Sequence, residues 1–218
     1  MIGAAVAANA PAAAPTPEVA AKGLQAALGP LVQQALTSVS DAKATSSQFS
    51  VPLPDKLGKL ESTLKAAGQG QLMEDFKAKL KRVALETLPQ TKSAFTGATS
   101  DFKFDDPLTV LKTGPDGMTN CVKQHARGKI AEQVLPLVAN NSKTAGLTAS
   151  YQAMVAKAGP MAGAMFGKQP PVNLDQYVTD QSVDYIFSLV GKGEGALRAN
   201  PSLANNALVK QVFSAVKK

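Results

Sequence analysis

Apolar side chains in this chain recur at steps of three and four, and no run of alternating strands with hairpin turns appears. Leu24, Leu28, Leu31, Val32, Ala35, Leu36 and Val39 fall on one helical face. Gly29-Pro30 interrupts that stripe, which predicts a kink or two shorter helices. The polar stretch 41–48 reads as a loop. In FSVPLPDKLGKLESTLKAAGQG, Pro52 and Pro54 hold Val51 and Leu53 extended, and Pro54 suits a first helical turn. Leu57, Leu60 and Leu64 then share a face until Gly68 and Gly70 stop the helix. A second helix carries Leu72, Met73, Phe76, Leu80, Val83 and Leu88 inward and ends before Pro89. The short 66–71 connection predicts an αα-hairpin.

Further along, Phe102 and Phe104 alternate with polar residues in a short extended piece, and Gly114-Pro115-Asp116-Gly117 is a turn signal. A long helix should start near Met118, with Val122, Ala126, Ile130, Val134 and Leu137 on one stripe, and Pro136 should kink or finish it. Two more helices are expected over 145–157 and 173–190, the second with Asn173 or Asp175 as its cap, separated by the loose GPMAGAMFGKQPP stretch. Gly191, Gly193 and Gly195 should break the chain, and Asn200-Pro201 should open a last helix bearing Val209, Val212, Phe213 and Val216. The pattern predicts an all-α fold: a single-domain multi-helix bundle built from αα-hairpins over 18–218. It follows an Ala/Pro-rich flexible segment over 1–17. That segment, MIGAAVAANAPAAAPTP, is uncharged and reads either as a linker or as a signal-peptide remnant ending in small-x-small Ala8-Asn9-Ala10.

Composition narrows the chemistry. At 218 residues the chain can bury roughly 70% of its unfolded surface, so the core needs no staples. The single Cys and single His exclude a disulfide framework, zinc modules and H-E-x-x-H sites. No stretch is long and apolar enough for a transmembrane helix. The net charge of +7 makes an anionic partner surface a candidate. Nucleic acid is disfavoured, because only 3 of the 23 basic residues are Arg and no aromatics interleave them.

The motifs V-P-L-P-D-K-L-x-K-L over 51–60 and G-Q-G-Q-L over 68–72 resemble a bacterial family of exported helical proteins, domain-of-unknown-function family 4197. The turn L-K-T-G-P-D-G-M-T-N over 111–120 agrees, as do N-L-D-Q-Y-V-T over 173–179, the following I-F-S-L-V, and A-L-R-A-N-P over 196–201. The chain departs from that pattern at 191–195, where members carry a Glu-rich stretch, and at 117–119, where they carry Ala-Ala-Thr. The resemblance implies an all-α fold and export, and it implies no activity and no catalytic residue.

Cys121 and His125, at i and i+4, could form an activated thiolate or a ligand pair, yet they flank a core stripe and read as packing residues. Asp101, Asp105, Asp106 and Asp116 do not fit the calcium-loop spacing. Asp105 or Asp106 is expected to cap the helix begun by Pro107, and Asp116 the one from Met118. Lys77, Lys79, Lys81 and Arg82, with Lys56, Lys59 and Lys65 before them, form the densest basic run, a surface patch for anionic lipid or a solvated face. Met161, Met165 and Phe166, with Tyr177, outline a candidate apolar pocket. Tyr151, Tyr177 and Tyr185 are expected in the core with one wet end. Glu194 and Arg198 are expected to form an exposed ion pair.

These readings predict no enzyme, cofactor or metal. They favour an exported binding or scaffold module at a membrane-facing surface, with carriage of a hydrophobic small molecule or lipid between the helices as the alternative. Pro52 and Pro54 are expected to be structural. Replacing both by Ala should lower stability by about 1–2 kcal/mol through added unfolded-state freedom, without loss of any partner. Denaturation midpoints and pull-downs on the same variant check this.

Overall fold

Thr16 opens the first helix, its Oγ1 accepting the Val19 N–H at 3.4 Å ahead of Pro17 in the first turn. The computed structural model describes residues 14–167, 170 and 172–215, apart from the side chains at 42–44, 56, 161 and 165. Expectations for the N-terminal segment that fall on residues 1–13, and for Val216, lie outside them. Among the described residues there are eleven α-helices, three 3-10 turns and no strand. The all-α expectation holds.

α1 (Pro17–Ser38) is one continuous helix with Pro30 in its interior, where two pieces or a kink were expected. Pro30 is exposed, so its ring sits outward while the apolar face on either side stays packed. The stretch expected as a loop is α2 (Ala42–Gln48), stabilised by the buried Thr45, whose hydroxyl donates to the Asp41 carbonyl at 2.7 Å. The αα-hairpin is present as α3 (Gly58–Ala66) and α4 (Gly70–Thr87), turning at Gly68 with φ +68°. The helical path does not stop at Pro89. A 3-10 turn over Leu88–Thr91 leads into α5 (Lys92–Thr99), which carries Phe95 into the core.

α6 (Pro107–Lys112) starts as expected, with Asp106 accepting the Thr109 N–H at 3.1 Å. α7 (Gly117–Ala145) runs nine residues past Pro136 before Gly146 ends it at φ +65°. Pro136 is exposed, so it forfeits one ladder bond without disturbing the buried side. α8 (Leu147–Lys157) and the short α9 (Pro160–Phe166) follow. α10 (Leu174–Ala199) is capped by Asn173, as expected, but it continues straight through Gly191, Gly193 and Gly195. Asn200-Pro201 opens only a 3-10 turn, and α11 (Ala207–Ser214) is capped instead by Asn206.

α7 and α10 form the antiparallel centre, with α1 and α4 packed around them. Arg127 of α7 reaches Asp180 at 2.9 Å and Asp184 at 2.8 Å on α10, and Lys123 reaches Asp184 at 3.0 Å. Burial works against the Asp184 carboxylate, but the hydrogen bonds from Arg127 and Lys123 outweigh it and hold its pKa below the ordinary value.

The other end of this pair is joined through the interior, which corrects the exposed Glu194–Arg198 pair. Glu194 is wholly buried, and its carboxylate accepts the Met118 N–H at 2.9 Å, the Thr119 N–H at 2.7 Å and the Thr119 hydroxyl at 2.7 Å. It thereby caps α7, and Asp116, expected in that role, makes no side-chain capping bond. Arg198 donates to Glu194 at 2.8 Å and to the carbonyls of Leu111 and Val110. Gly117 is required at the turn, since a Cβ there would lie 2.7 Å from the Val110 carbonyl oxygen. Glu194→Ala leaves Arg198 and the α7 N-terminus unpaired in the interior and should cost about 3–5 kcal/mol. Lys123→Ala, at a half-exposed pair, should cost no more than about 1 kcal/mol. Urea denaturation of both variants checks the contrast.

Candidate functional site

A groove of about 600 Å³ lies between α1, α10 and α11. α1 contributes Ala26, Ala27, Pro30, Leu31 and Gln34, and α10 contributes Gly193, Ala196 and Leu197. The link to α11 closes it with Leu203, Ala204, Asn205 and Asn206, and Val209 lies at the bottom. The walls are methyl groups and backbone, because Ala and Gly take the places where larger side chains would fill the space. At Gly193 a Cβ would lie 3.0 Å from Leu31 Cδ2, so that contact fixes one edge of the groove. Its polar lining is uncharged: Gln34, Asn205 and Asn206. Leu203, at the rim, is 61% exposed.

Pro30 adds a chemical feature. It has no N–H, so the Ala26 carbonyl one turn earlier lacks its helical donor. Both residues line the groove.

The sequence had pointed elsewhere for an apolar pocket. The side chains of Met161 and Met165 lie outside the described residues. Phe166 is half-buried, and its carbonyl accepts the Tyr151 hydroxyl at 3.0 Å. Tyr177 donates its hydroxyl to the Pro52 carbonyl at 2.8 Å. Phe49 stacks on Tyr185 with ring centroids 4.5 Å apart, so the V-P-L-P segment runs antiparallel along α10. Val51 and Leu53 are half-buried against the core and Pro54 is buried, an arrangement in keeping with a structural role for Pro52 and Pro54.

The basic run is largely engaged within the chain. Lys77 pairs with Glu61 at 2.8 Å and Glu74 at 3.2 Å, and Arg82 pairs with Glu86 at 2.7 Å. Lys81 donates to the Ser46 carbonyl at 2.6 Å. Lys59 is exposed, and the Lys56 side chain lies outside the described residues. These bonds hold α3 and α2 against α4, and they leave less unpaired charge than the sequence suggests.

The groups with reactive chemistry are not assembled. His125 Nδ1 lies 2.8 Å from the Cys121 carbonyl oxygen, a bond to its own helix rather than to the thiol, and its ring meets Phe102 edge-on. Burial, then the nearby Asp105 charge, pushes the Cys121 thiol above its ordinary value, the opposite of an activated nucleophile. Among the described residues no three His, Cys, Asp or Glu side chains converge as a metal site. A second cleft, about 500 Å³ between α7 and α10, has charged residues in its lining, but its Thr119 and Asp184 already bond Glu194 and Arg127.

A family model described as Protein of unknown function (DUF4197) matches residues 14–214. The chain belongs to this family. No curated protein and no solved structure matches it. The DUF4197 match spans every helix from α1 to α11, so groove and buried network alike lie within the family domain.

The groove was missed because its signals look like breaks. Gly29-Pro30 and Gly193 read as interruptions of helices, whereas both belong to unbroken helices that present small residues to one shared space. A raised thiol pKa means that less thiolate is present at any pH below it. Cys121 should therefore react with iodoacetamide at pH 8 several-fold more slowly than an unhindered cysteine in a peptide. The pH profile of alkylation, shifted upward, checks it.

Proposed function

We propose that this DUF4197 protein is a non-enzymatic, exported binding module that holds an apolar ligand in the α1/α10/α11 groove. The observation that carries the reading is Leu203. Among the described residues it is the one large hydrophobic side chain left strongly exposed, and it lines this groove. An exposed apolar residue beside an apolar groove is what a site needs when its occupant completes the burial. Two further features support the non-enzymatic part: the raised Cys121 thiol and the use of Glu194 and Asp184 in holding helices together. Export rests on the family resemblance and on the uncharged Ala-rich N-terminus. Docking on an anionic membrane surface through the basic run is the weaker alternative, since Lys77 and Arg82 are paired within the chain.

The chain has no Trp, so an added one gives a clean optical signal. Nile red should gain fluorescence on binding the parent protein. Ala204→Trp, which fills the groove from the rim, should weaken dye binding at least tenfold at an unchanged melting temperature. Equal dye binding by parent and variant would place any apolar site elsewhere. Fractionation of the source cells should find the protein outside the cytosol.

A further inference from the structure

We infer that the groove takes one unbranched acyl chain carried on an uncharged, hydroxyl-bearing head, a monoacylglycerol-type amphiphile. This rests on the groove reading above and adds the ligand's chemistry. The shape argues for a single narrow chain. Ala26, Ala27, Gly193 and Ala196 line part of it with nothing larger than a methyl group. A docked amphipathic helix would instead need a row of pockets for its anchors at i, i+3, i+4 and i+7. The volume, about 600 Å³, is that of a small-molecule site rather than of a protein interface.

The polar end argues for the head. In a protein of net charge +7, no charged residue lines this groove. A carboxylate or ammonium would therefore lose water with no opposite charge to meet it. What the groove offers is the Gln34 and Asn205 amides, neither of which makes a hydrogen bond among the described residues, and the Ala26 carbonyl that Pro30 leaves without its helical donor. A carbonyl acceptor repels a carboxylate and accepts from a hydroxyl. Asn206 is less available, because its Oδ1 already accepts the Leu208 and Val209 N–H groups. Amides that both donate and accept suit the ester and hydroxyls of a glycerol head.

The experiment is a calorimetric titration of the full chain with octanoyl, decanoyl and dodecanoyl monoglycerides, beside the matching fatty-acid anions, with Nile red displacement in parallel. Each methylene buried should tighten binding about fourfold, so each step of the series should gain about sixteenfold. The anions should bind at least tenfold more weakly than the monoglycerides. Pro30→Ala restores an N–H to the Ala26 carbonyl; it should weaken the monoglycerides several-fold more than it weakens Nile red, at a melting temperature unchanged or higher. The protein should not co-float with vesicles of uncharged phospholipid.

Several results would overturn the inference. If Nile red binds the parent and not Ala204→Trp, but affinity is flat with chain length or equal for the anions, the ligand chemistry is wrong and the groove reading stands. Co-flotation with the vesicles, lost in Ala204→Trp, would mean that the groove meets a lipid surface rather than a dispersed amphiphile. If neither dye nor monoglyceride binds, the groove reading falls with the inference.

Discussion

A carboxylate with no access to water must have its hydrogen-bonding capacity met by fixed partners, and the packing of this protein is organised around one such group. Glu194 satisfies two backbone N–H groups at the start of α7, where the helix dipole also favours a negative charge. It therefore does for α7 what a capping residue does, but from another helix. Arg198, one turn further along α10, answers its charge and ties down the last carbonyls of α6. Its guanidinium also lies 5.3 Å from the centroid of the Phe213 ring on α11. One ion pair thus joins α6, α7, α10 and α11. The groove opens between α1 and two of these, so its walls are positioned by a network that contributes no residue to its lining.

The glycines of α10 follow from the same constraint. Three glycines within five residues each cost the helix about 1 kcal/mol relative to Ala, and taken alone they argue against helix. Gly191 and Gly195, at i and i+4, face Asp116, Thr119 and Pro115, at distances where a methyl group would make ordinary contact. Gly193 faces the other way, where a Cβ would press on Leu31 of α1 at 3.0 Å. Close packing therefore accounts for Gly193, and the turn before α7 lies over the other two. Tertiary bonds to Glu194 and Arg198 outweigh the local propensity.

This contrast marks what was legible in the sequence. Stripes such as Leu57/Leu60/Leu64 and Met73/Phe76/Leu80/Val83 announce buried faces, because period and burial are the same physical fact seen twice. Caps by Asp106 and Asn173 are equally local, and both are where the sequence puts them. Pro30, Pro136 and the α10 glycines mislead because their local cost is offset by contacts many residues away. Glu194 misleads for the same reason: an i, i+4 pair with Arg198 looks like surface until the α7 N-terminus is brought over it. The candidate groove has no motif at all. It is made of alanines and glycines whose only distinction is what they fail to fill.

The motifs that carry the resemblance therefore lie in the frame of this chain. Tyr177, from N-L-D-Q-Y-V-T, bonds Pro52 of V-P-L-P; Arg198, from A-L-R-A-N-P, bonds Leu111 at the start of the Gly-Pro-Asp turn segment. Each motif pair is a clamp between segments distant in the chain, and backbone carbonyls are the acceptors in both. Such clamps fix where helices lie while saying nothing about what lies between them. Most of the groove wall comes instead from α1 and from Leu203 to Asn206, outside those motifs. Belonging to the family accordingly specifies the scaffold, while the shape of the groove depends on small residues that a change of a few methyl groups would alter.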